Sequence, residues 1–368
     1  MKKRALSLFL ALSMAVSLGT ISTAAAETVT PTVTNSYLHS RYHSTIKTNL
    51  FQNSSGGLTR VEYHDVEDEP LVITDKDGNI VEYQRRATPW VTVEEYDSNF
   101  QMTRCIRIAP ELPLWGGVFS GQNYNFLIYG ARNLPEDDAE VIRVVKYTKD
   151  WKRLGHASLR GANTTEPFAF GSLRIAESGD YLYVHTAHQM YMTEDKLRHQ
   201  ANLTFAVKES TMEISDSAYH ISNSSTGYVS HSLNQFALVD TAGHLVTLDH
   251  GDGHPRGIRL ARYYADADTG KFTTYTPNGT CKIDVLVEFP GEVGDNETGA
   301  NVGGLAETTN GYVVSYRYNG TGMSGGTHRP YLSYVDKQNG QIRNTPVAST
   351  GATTPFLIPT GLSGGYML

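Results

Sequence analysis

Short apolar runs, each opening on an aromatic residue or a histidine just after a turn residue, recur along the 368-residue chain. They begin at Tyr124 in NYNFLIYG, Tyr181 in GDYLYVHTAH, His244 in AGHLVTLDHG, Tyr312 in NGYVVSYRYNG and Tyr366 in GGYML, at separations of 57, 63, 68 and 54 residues. After each of the first four come a loop, a strand-like run into a charged turn and a further run: VIRVVKYTKDW, LTFAVKESTM, IRLARYYADADTGKF and YLSYVDKQNGQI. WVTVEEYDSNF is an upstream copy of that second half. Runs of this length, rich in Tyr, Val, Phe and Thr, are strands, because branched and aromatic side chains suit a pleated surface. The Gly, Asn and Asp between them accept turn backbone. No stretch beyond residue 26 has the length and 3.6-residue period of a helix.

Self-similarity at this period describes stacked four-stranded sheets, and the expected fold is an all-β β-propeller. The units span about 58–108, 115–160, 167–220, 228–285 and 301–348, with a partial unit at 355–368. The first contains the hairpin LVITDKDGNIVEY, turned at Asp77-Gly78. A pair of β-sandwiches is the alternative, but it predicts no recurrent order of strand, loop, strand and charged turn. The chain stops inside the second strand of a unit, leaving an apolar edge that folded proteins avoid, so the sequence is expected to continue in a longer reading frame.

The N-terminus fixes an expected compartment. Lys2, Lys3 and Arg4 precede an apolar run from Ala5 to Leu18, and Ala24, Ala25 and Ala26 supply the small residues of a cleavage site. Residues 1–26 are an export signal, and 27–55, rich in Thr, Ser and Asn, a leader or linker. No later apolar run is long enough to span a bilayer. The formal charge is −7, and loss of the signal leaves 28 basic residues against 38 acidic. That balance disfavours nucleic acid, whose phosphates need Lys and Arg. Cys105 and Cys281 are the only cysteines; they fall in the first and fourth units, too far apart in a ring to bond.

Candidate chemistry gathers in the loops after the anchor strands. His188 and His199 lie in one such region, His250, Asp252 and Arg256 in the next, and Arg329 in the third, while His231 sits in the inner-strand segment YVSHSLNQF. These seven are expected to converge at one mouth of the channel, where His and Arg would hold a polar or anionic ligand. Substitution of Arg256 or His250 is then expected to remove binding while sparing the fold. DHGDGHPR makes Asp249, Asp252 and His254 metal-ligand candidates for a divalent ion, although no standard metal spacing is present. TDKDGN and ADADTG resemble calcium loops but sit where hairpins must turn. The Gly-x-Ser-x-Gly matches at 322–326 and 361–365 lack the helix of a nucleophile elbow. Glu136, Asp137 and Asp138 read as solvated loop charge. Trp115, Phe168 and Phe170 are either platforms for sugar rings or wedges between sheets.

On this repeat pattern, residues 58–368 resemble secreted bacterial β-propeller repeat proteins as an architectural class. The resemblance implies a rigid disc with a ligand site at one channel mouth, and an extracellular or wall-associated protein that binds a polysaccharide, an anionic small molecule or a surface protein. The His and Arg content of units two to four is similar in kind to that of propeller arylsulfate sulfotransferases, which makes a His/Asp/Arg enzyme the alternative. None of that family's motifs matches residue by residue. A structural module of a larger wall protein is a third reading.

Overall fold

The computed structural model describes residues 45–53, 55–65, 69–74, 77–78, 80–85, 88–220, 227–273, 281–293, 298–320, 327–347, 357–359 and 366–367. All regular structure among them is β-strand, and the fold is an all-β propeller. The first sheet runs β1 (Thr48–Gln52), β2 (Leu58–His64), β5 (Trp90–Tyr96), β6 (Met102–Ile108), and β3 (Glu69–Thr74) and β4 (Ile80–Arg85) form a separate hairpin. The second sheet holds β7 (Leu114–Ser120), β8 (Asn125–Gly130), β9 (Glu140–Tyr147) and β10 (Arg153–Arg160) in order. In the third, β11 (Thr164–Pro167) and β12 (Arg174–Ser178) share the inner position beside β13 (Tyr181–Met192), followed by β14 (Arg198–Lys208) and β15 (Glu213–Ala218). The fourth is β16 (Ser232–Val239), β17 (His244–Gly251), β18 (Gly257–Tyr264) and β19 (Lys282–Glu288). The fifth is β20 (Ala300–Glu307), β21 (Gly311–Tyr318), β22 (Arg329–Asp336) and β23 (Ile342–Pro346). A pair, β24 (Ile358–Pro359) and β25 (Tyr366–Met367), follows.

The anchors fall as expected. Tyr124 immediately precedes β8, Tyr181, His244 and Tyr366 open β13, β17 and β25, and Tyr312 is the second residue of β21. No two share a sheet. Cys105 and Cys281 are both free thiols. The first sheet, however, starts at Thr48, inside the segment read as a linker, and it excludes the β3–β4 hairpin. β1 is only five residues long and buries only Phe51, too short a pattern to stand out in the sequence. The export signal and most of the linker lie outside the described residues.

The second strands read as unbroken apolar runs because both their faces are covered. Phe126 and Ile128 of β8 pack toward Leu182, Val184 and Phe205 of the third sheet. Leu127 and Tyr129 point the other way, onto Val61, Val91 and Trp115. In β13, Tyr181 and Tyr183 likewise face the fourth sheet, and Val246 and Leu248 of β17 face the fifth. Each such side chain contributes roughly 1.5–3 kcal/mol by leaving water, and alternation sends that gain to both neighbours. Aromatic wedges set the spacing. Phe168, held at φ 62°, inserts between Gly116 and Gly130, where added Cβ atoms would lie 2.7 Å from its ring.

At the opposite end, a glutamate closing an inner strand holds the hairpin turn of the preceding sheet. Gln122 N donates to Glu177 Oε2 at 2.6 Å, and Thr241 N to Glu307 Oε1 at 3.0 Å. Glu307 is neutralised by Lys337. Beside Glu177, by contrast, stands Glu209, whose backbone N–H bonds Asp180 as that of Lys337 bonds Asn310. Burial, and then the Glu177 carboxylate, push the Glu209 carboxyl up to about 8. A raised carboxyl pKa means the folded chain keeps a proton that the unfolded chain releases, so this seam loses stability as pH rises from about 4.5 to about 8. Glu209→Gln is expected to raise the thermal midpoint at pH 8.5 by several degrees and to leave it nearly unchanged at pH 4.5; equal effects at both pH values would contradict the shared-proton seam.

Candidate functional site

Strand polarity places all seven candidates at one end of the sheets. His188 lies near the end of β13 and His199 near the start of β14; His231 immediately precedes β16; His250 is near the end of β17; Asp252 and Arg256 lie between β17 and β18; Arg329 opens β22. Of these, His231, Asp252 and Arg256 are joined in one bonded group.

The group begins in the backbone before β16. Asn202 grips this segment by donating Nδ2 to Gly227 O at 2.8 Å and accepting Val229 N at 2.9 Å, and Ser230 N donates to His254 O at 2.9 Å. His231 N then donates to Gln200 O at 2.6 Å, which fixes His231 at φ 54°, a region that His enters more readily than most residues. Its Nδ1 donates to Asp252 Oδ1 at 2.9 Å. The carboxylate is 2% exposed and the imidazole 33%, so Asp252 sets the tautomer and Nε2 faces solvent with its lone pair. Phe170, 52% exposed and itself at φ 55°, is reached through Gln200, whose Nε2 donates to Ala169 O.

The remaining candidates do other work. Arg256 is largely buried, donating Nη1 to Asp252 O at 2.9 Å and Nε to Pro290 O at 3.1 Å. His250 is buried against Phe289, with Nε2 2.8 Å from Thr298 Oγ1. His199 pairs with Asp195 on an exposed hairpin at 2.8 Å. Arg329 is exposed at its strand start. His188 is fully buried, and Thr164 Oγ1 lies 2.7 Å from its Nδ1. The expectation that Arg256 and His250 bind ligand while sparing the fold therefore changes, because both are enclosed by protein.

The metal candidates do not form a ligand set. Asp249 Oδ1 takes Ser232 Oγ at 2.6 Å and His185 Nε2 at 3.1 Å, and Asp252 is held by His231. Among the described residues no three His, Cys, Asp or Glu side chains converge as a cation site. Serine, aspartate and histidine stand together here in the wrong order for acyl transfer: the aspartate lies between the other two, and His185 Nδ1 is 2.8 Å from Thr204 Oγ1. In ADADTG, Asp266 Oδ1 caps its own turn from Asp268 N at 2.8 Å. Of TDKDGN, only Asp77 and Gly78 and the first Thr backbone are described, and both Gly-x-Ser-x-Gly matches lie outside the described residues. Glu136, Asp137 and Asp138 are exposed. Trp115 and Phe168 are buried wedges.

Two open hollows lie at the other end, where the sequence suggested no site. One of about 600 Å³ is bordered by Asn310, Tyr334, Asp336 and Arg343. Another, of about 360 Å³, is bordered by His244, Arg262, Tyr264, Lys282 and Lys337. Arg262 is tied to Asp284 at 2.7 Å and Lys337 to Glu307, so most of this charge is already compensated.

No protein-family model and no curated protein matches the chain. Solved structures of similar shape include an ACO/RPE65 chimera (TM-score 0.44, 9% identity, 83% of this chain and 62% of that one) and the haemagglutinin-neuraminidase ectodomain of parainfluenza virus 5 (TM-score 0.40, 8% identity, 89% and 82%). A third is the GH32 β-fructofuranosidase of Bombyx mori (TM-score 0.32, 11% identity, 83% and 65%). The chain thus spans 62% of the chimera's length. These likenesses are too distant to assign an activity. No helix among the described residues is long and apolar enough to cross a membrane.

Two measurements follow from these environments. Arg256→Ala is expected to destabilise the fold by about 1–3 kcal/mol by leaving buried carbonyls without donors, measurable by denaturant unfolding; a change under ~0.5 kcal/mol would count against its structural role. Burial pushes the His188 pKa down to about 3. The unfolded chain takes up a proton near 6.5 and the folded chain does not, so stability falls as pH drops from 6.5 toward 3, by up to about 1.4 kcal/mol per unit. His188→Gln is expected to flatten that acid limb, and an unchanged slope would refute the assignment.

Proposed function

We propose that the chain is an exported β-propeller that binds a polysaccharide through its loop end, at Phe170 and the His231–Asp252 pair. The observation that carries this reading is a solvent-facing imidazole whose tautomer is set by a buried carboxylate, linked through Gln200 to an exposed aromatic ring. A pyranose needs an apolar surface for its ring face and fixed acceptors for its hydroxyls, and these side chains supply one of each. The net acidic charge and the N-terminal signal pattern support an extracellular, wall-associated setting.

Catalysis by the same pair is the second reading, since an Asp-held imidazole is a competent base. Binding is favoured because the neighbouring groups are already engaged: Arg256 donates to backbone carbonyls and Ser232 to Asp249. A glycan array on the purified chain is expected to show selective capture of neutral or acidic polysaccharides. Phe170→Ala and His231→Ala should each weaken that capture at least ~10-fold with stability within ~1 kcal/mol of the parent. Capture unaffected by both substitutions would eliminate this site, and turnover of a captured glycan, lost in His231→Ala, would replace binding by the catalytic reading.

A further inference from the structure

Arg174 is a buried cation without a counter-charge among the described residues. It lies in β12 and is 6% exposed. Nε donates to Gln235 O at 2.7 Å, and the guanidinium carbon stands 4.6 Å from the centroid of the Phe236 ring. Gln235 N donates to Ser172 Oγ at 2.9 Å. Both backbone groups of Gln235 therefore point away from β17, and Arg174 lies across the free inner edge of β16. No described residue accepts a hydrogen bond from its Nη1 or Nη2.

Arg256 spreads its donors over two backbone carbonyls, and two further enclosed arginines face a carboxylate. Arg262 has Asp284 at 2.7 Å, and the charge of Asp249 acts on Arg259. Burial alone acts on Arg174, and it pushes the pKa down to about 9. Enclosing a charge without a partner costs several kcal/mol, and folded proteins pair such groups. Two successive strands here also present neutral polar side chains: Asn234 Nδ2 is 3.4 Å from Asn301 Oδ1, and Ser172 Oγ is 3.1 Å from Asn234 Oδ1.

We propose that Arg174 binds a small oxyanion, a sulfate, phosphate or carboxylate group, at the inner edges of β12 and β16. The two terminal nitrogens of the guanidinium form a planar fork that matches two oxygens of such a group, and the low-dielectric surroundings strengthen the pair. The proposal does not depend on the polysaccharide reading of His231.

Calorimetric titration of the full chain with inorganic phosphate, inorganic sulfate and acetate, at constant ionic strength set with chloride, tests the proposal. Saturable binding of at least one, with Kd about 1 mM or tighter, is expected. Preference for phosphate or sulfate over acetate would identify an inorganic or ester oxyanion, and the reverse a carboxylate ligand. Arg174→Met should weaken binding more than ~10-fold. Arg174→Lys, which keeps the charge and loses the fork, should fall between. Glycan capture is read in a separate experiment without these anions, which separates failure here from failure of the polysaccharide reading. Absence of saturable binding by all three anions up to about 20 mM overturns the proposal, as does parental affinity in Arg174→Met. Should that variant not fold, parental affinity in Arg174→Lys overturns it instead.

Discussion

The innermost strand of each sheet has one edge with no strand beside it, and its backbone groups must still find partners. In the fourth and fifth sheets those partners are side chains of the preceding sheet. Ser172 and Arg174 bond both backbone groups of Gln235, and Asn234 Nδ2 donates to Val302 O at 3.1 Å. Leaving such a group buried and unmet costs about 1–3 kcal/mol, so these polar residues are as necessary to the centre of the ring as the apolar ones are to the seams. They also tie each sheet to the next without a covalent link. An open strand edge, a hazard in most β-proteins, is thereby closed from within.

This requirement explains why so much of the polar interior is chemically quiet. His185, Asp249, Ser232, Gln235 and Ser172 form one connected set, each almost wholly enclosed. Their hydrogen bonds run between the third and fourth sheets and satisfy one another. Reactive side chains there are kept from water and from substrates, whereas His231 rests half-exposed on an enclosed carboxylate at the loop end, as His244 does on Asp240 at the other end.

The anchor strands were legible because a strand covered on both faces reads as a continuous apolar run, and four such runs followed by charged turns repeat in one frame. β1 was illegible because it is short and mostly half-buried. For the site, the loops after the second strands did mark one end of the sheets; Asp252 was read from one of them, and His231 from the inner-strand segment beside it. Burial was not legible: a histidine has the same letter whether it faces solvent before a strand, as at 231, or is enclosed within β13 or β17, as at 188 and 250, two positions that the sequence reading had placed in loops. Arg174 was missed because LRIAES reads as an ordinary strand, and the absence of a carboxylate beside it among the described residues is a fact of three dimensions. The charged hollow beside Lys282 was missed because its residues come from strands and turns of two different sheets.

Between β2 and β5 the chain leaves the first sheet, makes the β3–β4 hairpin and returns. Pairing of the two flanking strands nevertheless continues from Leu58–Tyr96 to the last pair, His64–Trp90, without a slip, and the rings of that last pair stack at 4.8 Å. The corner is thus closed by its own side chains, independently of what is threaded through it. It behaves as a socket: a segment of different length or composition can be exchanged there while the sheet keeps its register, which gives the ring a position for acquiring new recognition elements without rebuilding its frame.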